Sequence, residues 1–347
     1  MKKLKLKTLE WHRRRAIDEA KRIFIKRKSD EKKSKGLNGF LRIPAPETLE
    51  IANTDTRNTL LHFIADLKYK IANGNRKIYI DFTHTKRFRT GGAILFLAEI
   101  SRLIAAYTNI KFRSACPKIP KAAQVMKQIG LSRLLRTNVR HAVKDDDVAN
   151  WKCATGQGAL GEKCDAILGP YEGIIAEALS DDLYRGLTEA MTNAHHHAYI
   201  LPRGDGVECS EDYKPWWMFS QEKDGYLTVI FCDLGVGIPA TLPIKQAKWW
   251  QYASRLGIDM SNEGKLIQGA VRNSQSRTRL LHRGKGLRQI ADTVRAAHGG
   301  HVSIYSNKGL YTLANGQEKT FNHVESILGT VIQWRMPLPQ RAKHEQI

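Results

Sequence analysis

The 347-residue sequence predicts an α/β protein, and three observations carry the prediction. Strand-like runs alternate with helical-period segments through the first half, as where Lys77-Ile-Tyr-Ile-Asp81-Phe82 is followed by the apolar stretch Ala93 to Ala106. The second half combines a helical apolar stripe with nearly continuous apolar strands, of which Tyr226-Leu-Thr-Val-Ile-Phe-Cys232 is the clearest. Length and a hydrophobic content of 42% suffice for two cores.

Taken in order, residues 1–36 hold 15 Lys or Arg against 5 Asp or Glu. Apolar Leu9, Trp11, Ala16, Ala20, Ile23 and Phe24 lie among them, so a basic amphipathic helix or a solvated extension is expected. Nucleic acid, an anionic membrane surface and a partner protein are all open to it. Leu60, Leu61, Ile64, Leu67 and Ile71 give a helix over Asn58 to Asn73, stopped by Gly74-Asn75. Strand Lys77 to Phe82, the Thr90-Gly91-Gly92 segment with its apolar helix, strand Ile110 to Ser114 and helix Lys121 to Ile129 complete an α/β unit. Lys144-Asp-Asp-Asp147 and the glycines up to Gly161 read as a linker, with motion expected near residue 150.

Beyond it, Ile174, Ile175, Ala178, Leu179, Leu183, Leu187, Met191 and Ala194 recur at helical spacing. They lead into and through Glu189-Ala-Met-Thr-Asn193-Ala-His-His-His197-Ala-Tyr199, which places Glu189, Asn193 and His197 along one edge. A carboxylate there can orient or deprotonate a nucleophile, and a carboxamide oxygen suits a hard divalent cation. After a polar insertion from Pro202 to Pro215, Trp216-Trp-Met-Phe219 and the Asp224-Gly225 turn predict a hairpin that delivers Asp233 to a strand end. A carboxylate so placed can accept from an exocyclic amine, and Gly235 and Gly237 would let the backbone approach a flat base. Trp249, Trp250 and Tyr252 read as core, or as groups that pack when a ligand binds. His282-Arg283-Gly284-Lys285-Gly286-Leu287 opens a helix with Leu287, Ile290, Val294 and Ala297 on its apolar face, and its free N–H groups and cations would cradle an anion. Thr330 opens the last strand, where its hydroxyl could reach a base through water.

These four segments, in this order and at these intervals, resemble the GHKL superfamily of ATP-binding folds. The resemblance implies a Bergerat α/β sandwich binding ATP and Mg2+. In it Glu189 is the catalytic base and Asn193 the metal ligand, with His197 beside the nucleotide. Asp233, Gly235 and Gly237 form the adenine box, Arg283, Gly284, Lys285, Gly286 and Leu287 cap the phosphates, and Thr330 completes the base pocket. Residues 239–282 become a mobile lid, and dimerisation is common in the superfamily. The Glu189 to Tyr199 segment is most similar to switch kinases, which phosphorylate Ser or Thr on a small partner protein. The lid and Gly-Lys-Gly-Leu are more similar to histidine-kinase ATPase domains, although no dimerising hairpin with a phosphoacceptor histidine precedes them. Gly39 to Arg136 resembles a STAS domain. Arg89 stands at the usual acceptor serine, and the neighbouring Thr90 is expected to cap its helix rather than accept phosphate.

The expected organisation is a basic extension (1–36), a STAS-like domain and linker (37–150) and a GHKL ATPase domain (151–347). The expected function is an ATP-hydrolysing regulator that acts through Mg-ATP and lid closure on a protein partner. A Ser/Thr kinase and an ATP-gated nucleic-acid-binding protein are the alternatives. No apolar run reaches membrane-spanning length, and the Lys-rich start lacks the core of a signal peptide. Five cysteines, an odd number without a Cys-x-x-Cys pair, argue against zinc or a disulfide framework and fit a cytoplasmic location. Residues 241–310 hold 12 Lys or Arg against 3 Asp or Glu, which suits a triphosphate and a further polyanion or acidic partner.

Overall fold

A computed structural model describes residues 39–145, 148, 151–158, 163, 167, 169, 177–255, 257, 259–273, 286–294 and 299–338. The basic extension therefore lies outside the described residues. The rest is mixed α/β, built on two main sheets.

The first sheet is parallel, in the order β1 (Leu41–Pro44), β3 (Lys77–Asp81), β5 (Lys111–Ala115). A short ladder pairs β2 (Thr48–Leu49) with β4 (Arg87–Phe88). Helix α1 (Thr54–Ala72) starts where Asn53 accepts from the N–H groups of Asp55 and Thr56, and it ends before Gly74, which has φ 93°. Helix α2 (Thr90–Ala106) is buried on nearly every side from Gly91 to Ile100. Its two leading glycines are needed by packing, because a Cβ on Gly92 would lie 2.5 Å from the Leu49 carbonyl oxygen and one on Gly91 would press on Ile51. Arg89, not Thr90, holds the N-cap position, and no side chain caps the helix. The expected capping role of Thr90 is thus corrected: it is the first helical residue, half-buried. Helices α3 (Pro120–Gln128) and α4 (Leu131–Leu134) follow, joined through Gly130 at φ 79°.

The second sheet has seven strands, antiparallel throughout, in the order β11-β10-β9-β12-β8-β7-β6. In chain order they are β6 (Lys152–Gln157), β7 (Pro215–Lys223), β8 (Tyr226–Asp233), β9 (His301–Ser306), β10 (Gly309–Ala314), β11 (Gln317–Asn322) and β12 (Thr330–Pro337). The expected hairpin joins β7 to β8 through Asp224 and Gly225, both at positive φ. One face packs Trp216, Met218, Val229, Phe231, Ile304 and Trp334 against α5 (Glu177–Asn193), α8 (Glu263–Asn273) and α9 (Gly286–Asp292). Between them in sequence lie α6 (Ile238–Lys245) and α7 (Ala247–Arg255). Trp249 and Trp250 of α7 pack on Leu242, Leu266 and Ala270, so both belong to a small satellite core. Helix α8, inside the segment expected to form a lid, lies on β10 with Ile267 and Val271 in the main core. Residues 274–282 lie outside the described residues.

The opposite face of this sheet is covered too. Trp217, Phe219, Ile230, Cys232, Tyr305 and Val331 share one apolar cluster with α1, α2 and the parallel sheet. This explains why β7 and β8 read as continuous rather than alternating apolar runs: both faces are buried. Helix α2, buried nearly all round, packs on β7 and β8 and shares one core with the parallel sheet. At the expected linker, Val148 and Trp151 join the same core, and the Trp151 ring lies 5.9 Å from that of Phe219.

Five buried charges cross this junction. Lys68 of α1 and Glu99 and Arg102 of α2 meet Arg203 and Asp205 from the insertion before β7. Lys68 Nζ is 2.8 Å from carboxylate oxygens of both Glu99 and Asp205, and Arg102 and Arg203 reach Asp205 at 2.6 and 2.9 Å. Burial pushes the Asp205 and Glu99 carboxyls up, but the surrounding cations outweigh it: Asp205 is held well below the usual carboxylate range and Glu99 below its ordinary value.

Candidate functional site

Glu189 and Asn193 lie one turn apart near the end of α5, and both are half-buried. Gly186 brings this helix against α9, since a Cβ there would meet the Thr293 hydroxyl at 2.7 Å. The helix then widens into a π-helical turn, Ala194–Ala198, a rare geometry that recurs at functional sites and that shifts His197 relative to Asn193. Burial raises the Glu189 carboxyl above its ordinary value. Burial also lowers His197; a hydrogen bond with the His196 backbone opposes this, and the charge of Lys245 at the end of α6 adds to it. The amide nitrogen of Asn193 and the His197 Nδ1 are buried without a hydrogen-bond partner among the described residues. Two such groups beside each other are open to a polar ligand.

Asp233 ends β8 and is 5% exposed. Its Oδ1 accepts from the Gly235 N–H at 2.9 Å, and it shares a hydrogen bond with Thr330, its partner in the β8–β12 register. Burial raises this carboxyl to about 6, against the opposing pull of the Gly235 N–H, Arg203 and Thr330. Thr330 Oγ1 lies 3.1 Å from Ser306 Oγ, which in turn accepts from the Ile238 N–H at 2.8 Å.

The loop after Asp233 is laced to its neighbours. Leu234 N–H donates to the Tyr199 hydroxyl at 3.1 Å, Val236 N–H to the Ala198 carbonyl at 2.8 Å, and the Asn307 amide to the Val236 carbonyl at 2.8 Å. The room that the two glycines leave is filled by the protein itself. A Cβ on Gly235 would stand 2.3 Å from the Ala198 oxygen, and one on Gly237, at φ 82°, would meet the Asn307 side chain at 2.6 Å. Their first requirement is therefore this internal approach, where the sequence reading had assigned them to a flat base.

The fold thus brings Asp233, Gly235, Gly237 and Thr330 into one hydrogen-bonded corner. The π-helical turn carrying His197, one turn beyond Glu189 and Asn193, lies against that corner. Leu287 packs from α9 with Ile238 against the same layer. Gly286 opens α9, while Arg283, Gly284 and Lys285 lie outside the described residues. Among the described residues no group of three or more His, Cys, Asp or Glu is arranged to hold a metal.

Sequence reasoning missed Lys245, one Lys among many, and Arg203. Arg203 donates to the Leu328 carbonyl at 2.6 Å and so holds the backbone that leads into Thr330. Arg57 of α1 does the same from the other side, donating to the carbonyls of Asn307 and Glu325 at 3.0 and 3.3 Å. It is fully buried, and desolvation pulls its pKa down to about 10. No short-range pattern marks either arginine. No protein-family model matches the chain, and no curated protein shows significant similarity to it. No helix among the described residues is long and apolar enough to cross a membrane.

Proposed function

We propose that this chain is an ATP-binding regulator of the GHKL type, with a STAS-like layer docked on the back of its ATP-binding sandwich. The observation that carries the reading is the buried Asp233–Thr330 pair, set against a helix end that presents Glu189 and two unsatisfied polar groups, Asn193 and His197. Asp233 is suited to accept from the exocyclic amine of adenine, a bond that favours its ionised form. Asn193, with the phosphate oxygens and water, would hold Mg2+, which prefers such shared octahedral coordination. Bound Mg-ATP supplies an activated phosphoanhydride. Glu189, its carboxyl raised by burial, is a stronger base than a solvated one and would take a proton from an attacking water.

Regulation is supported by the back of the site. Arg57 of the STAS-like layer, and Arg203 held by Glu99 of that layer, grip the backbone at Asn307 and from Glu325 to Leu328, which leads into Gly329 and Thr330, so a shift of that layer would move the residues that flank Asp233. Titration calorimetry with Mg-ATP and phosphate release by wild type, Glu189→Gln and Asp233→Asn tests the reading. Binding should survive Glu189→Gln while release falls at least about 100-fold, and Asp233→Asn should abolish binding. Wild-type protein that fails to bind ATP would end the proposal.

The kinase alternative draws on one observation: the half-exposed Thr90 hydroxyl neither caps its helix nor makes a hydrogen bond among the described residues. Label from γ-labelled ATP retained on Thr90 would favour it over hydrolysis.

A further inference from the structure

The parallel sheet β1-β3-β5 has two unlike faces. Ile43, Ile78, Ile80 and Phe112 point into the shared core. Alternation sends Arg42, Tyr79 and Arg113 to the other side, where strand register aligns them in one row across the sheet. Lys77 and Lys111 form the next row. Arg42, Lys77, Lys111 and Arg113 are all exposed. Among the described residues Asp81 is the one acid of this face, and it accepts from Arg42 and Thr83. At the end of the sheet Arg113 lies over the Phe40 ring at 5.0 Å. Phe40 separates two hollows of about 500 and 430 Å³, the first also lined by Arg136 and the second by Lys77.

We propose that this outward face is a binding surface for single-stranded nucleic acid. Lys77, Lys111, Arg113 and Arg136 would meet consecutive phosphates, and the Tyr79 ring, flanked by arginines, would stack on a base. Arg113, over the Phe40 ring, would offer its guanidinium to a second base. Charge complementarity selects a polyanion. The aromatic in the middle of the cationic row, Tyr79 between Arg42 and Arg113, favours unpaired bases over a carboxylate-rich peptide, which gains nothing from stacking. A lipid surface would need protruding aliphatic groups, and this face presents only Tyr79, Pro44 and Ala115 between its charges. Residues 1–36, which precede β1 in the sequence, hold 15 Lys or Arg against 5 Asp or Glu.

Anisotropy of fluorescein-labelled 20-nucleotide DNA and RNA single strands, titrated with full-length protein at 50 to 300 mM salt, tests this. Affinity should fall steeply with salt, with a log–log slope near −0.7 per phosphate engaged. Lys77→Glu/Lys111→Glu/Arg113→Glu should weaken binding at least 30-fold, and Tyr79→Ala at least about fivefold. ATP affinity should be unchanged in both, which separates this surface from the nucleotide site. Lys77→Gln/Lys111→Gln/Arg113→Gln, a milder change at the same exposed positions, guards against misfolding and should reproduce the loss in part. A preference for RNA or DNA identifies the natural strand, and either supports the proposal. It is overturned if the triple variants bind within twofold of wild type while Arg13→Gln/Arg14→Gln/Arg15→Gln abolishes binding. Equal affinity for polyglutamate, or binding to phosphatidylserine vesicles without binding to oligonucleotides, overturns it as well.

Discussion

Replacing Glu99 by Gln changes the charge of the buried junction without changing its shape. Each of the five side chains there is at most 8% exposed, and together they set three cations against two carboxylates. The substitution leaves Lys68, Arg102 and Arg203 facing Asp205 alone. It also weakens the 2.8 Å bond from Lys68 and the fork from Arg203, in which one Glu99 oxygen accepts at 3.2 Å. Breaking a buried ionic pairing by removing one partner costs about 3 to 5 kcal/mol; the remaining amide oxygen still accepts, so about 3 kcal/mol is expected. Urea unfolding followed by tryptophan fluorescence should show a lower midpoint with an unchanged slope. Arg203→Met, which removes the excess positive charge, should partly relieve the damage, so the double variant should cost at least about 1 kcal/mol less than the sum of the two. A loss below about 1 kcal/mol for Glu99→Gln, or strict additivity, would mean that these charges are hydrated. The docking of the first layer on the seven-stranded sheet would then be wrong.

Four further outcomes are expected. Because the Asp233 carboxyl titrates near 6 in the fold and near 3.9 in an unfolded chain, the native state binds its proton more tightly. The stability this contributes is complete below about pH 4 and is lost as pH rises through 6, a change of about 3 kcal/mol that Asp233→Asn should remove from the pH–stability curve. ATP, which favours the ionised carboxylate, should bind about tenfold more weakly at pH 5 than at pH 7 and release a proton at the lower pH; calorimetry in two buffers of different ionisation enthalpy checks this, and a flat profile counts against the adenine role. Gly235→Ala, whose Cβ collides with Ala198, should cost about 1 to 3 kcal/mol and lower the melting temperature even without nucleotide, whereas a base-contacting glycine would affect binding alone. Thr90→Ala should change stability by less than about 0.5 kcal/mol, and a larger loss measured in urea would restore the capping role.

How much of this was legible depended on the range of the interaction. Local chemistry showed directly: the Asp224-Gly225 turn, the stop at Gly74, the period-two and period-3.6 runs, and Asp233 and Thr330 each at a strand end, although not that the two strands pair. The helix from Leu183 to Ala194 was also correct in its apolar face, but the π-helical turn after it was not foreseeable, since Ala-His-His-His-Ala carries no signal for one. Glycine roles were legible only as a need for space. The sequence could not say that Ala198 and Asn307, from distant parts of the chain, fill that space, and the same blindness to tertiary contact gave Thr90 a capping role that Arg89 occupies.

The junction between the layers was the least legible feature, and its clues were present in a form that admits two explanations. A helix buried nearly all round such as Ala93 to Ala106 and a strand buried on both faces such as Val229 to Cys232 each require a covering layer, yet neither says which layer it is. Read separately, they gave two cores and a flexible linker; in the fold they cover each other. The polar residues decide the pairing. Lys68, Glu99 and Arg102 are unremarkable on amphipathic or apolar helices, and Arg203 and Asp205 belong to an insertion that reads as a loop. Only together do they satisfy one another away from water, and their mismatch with any other partner is what fixes the register of the first layer on the second. That register sets Arg57 and Arg203 behind Gly329. Both arginines thus hold the backbone that leads to Thr330, the residue that faces the carboxylate at the end of β8.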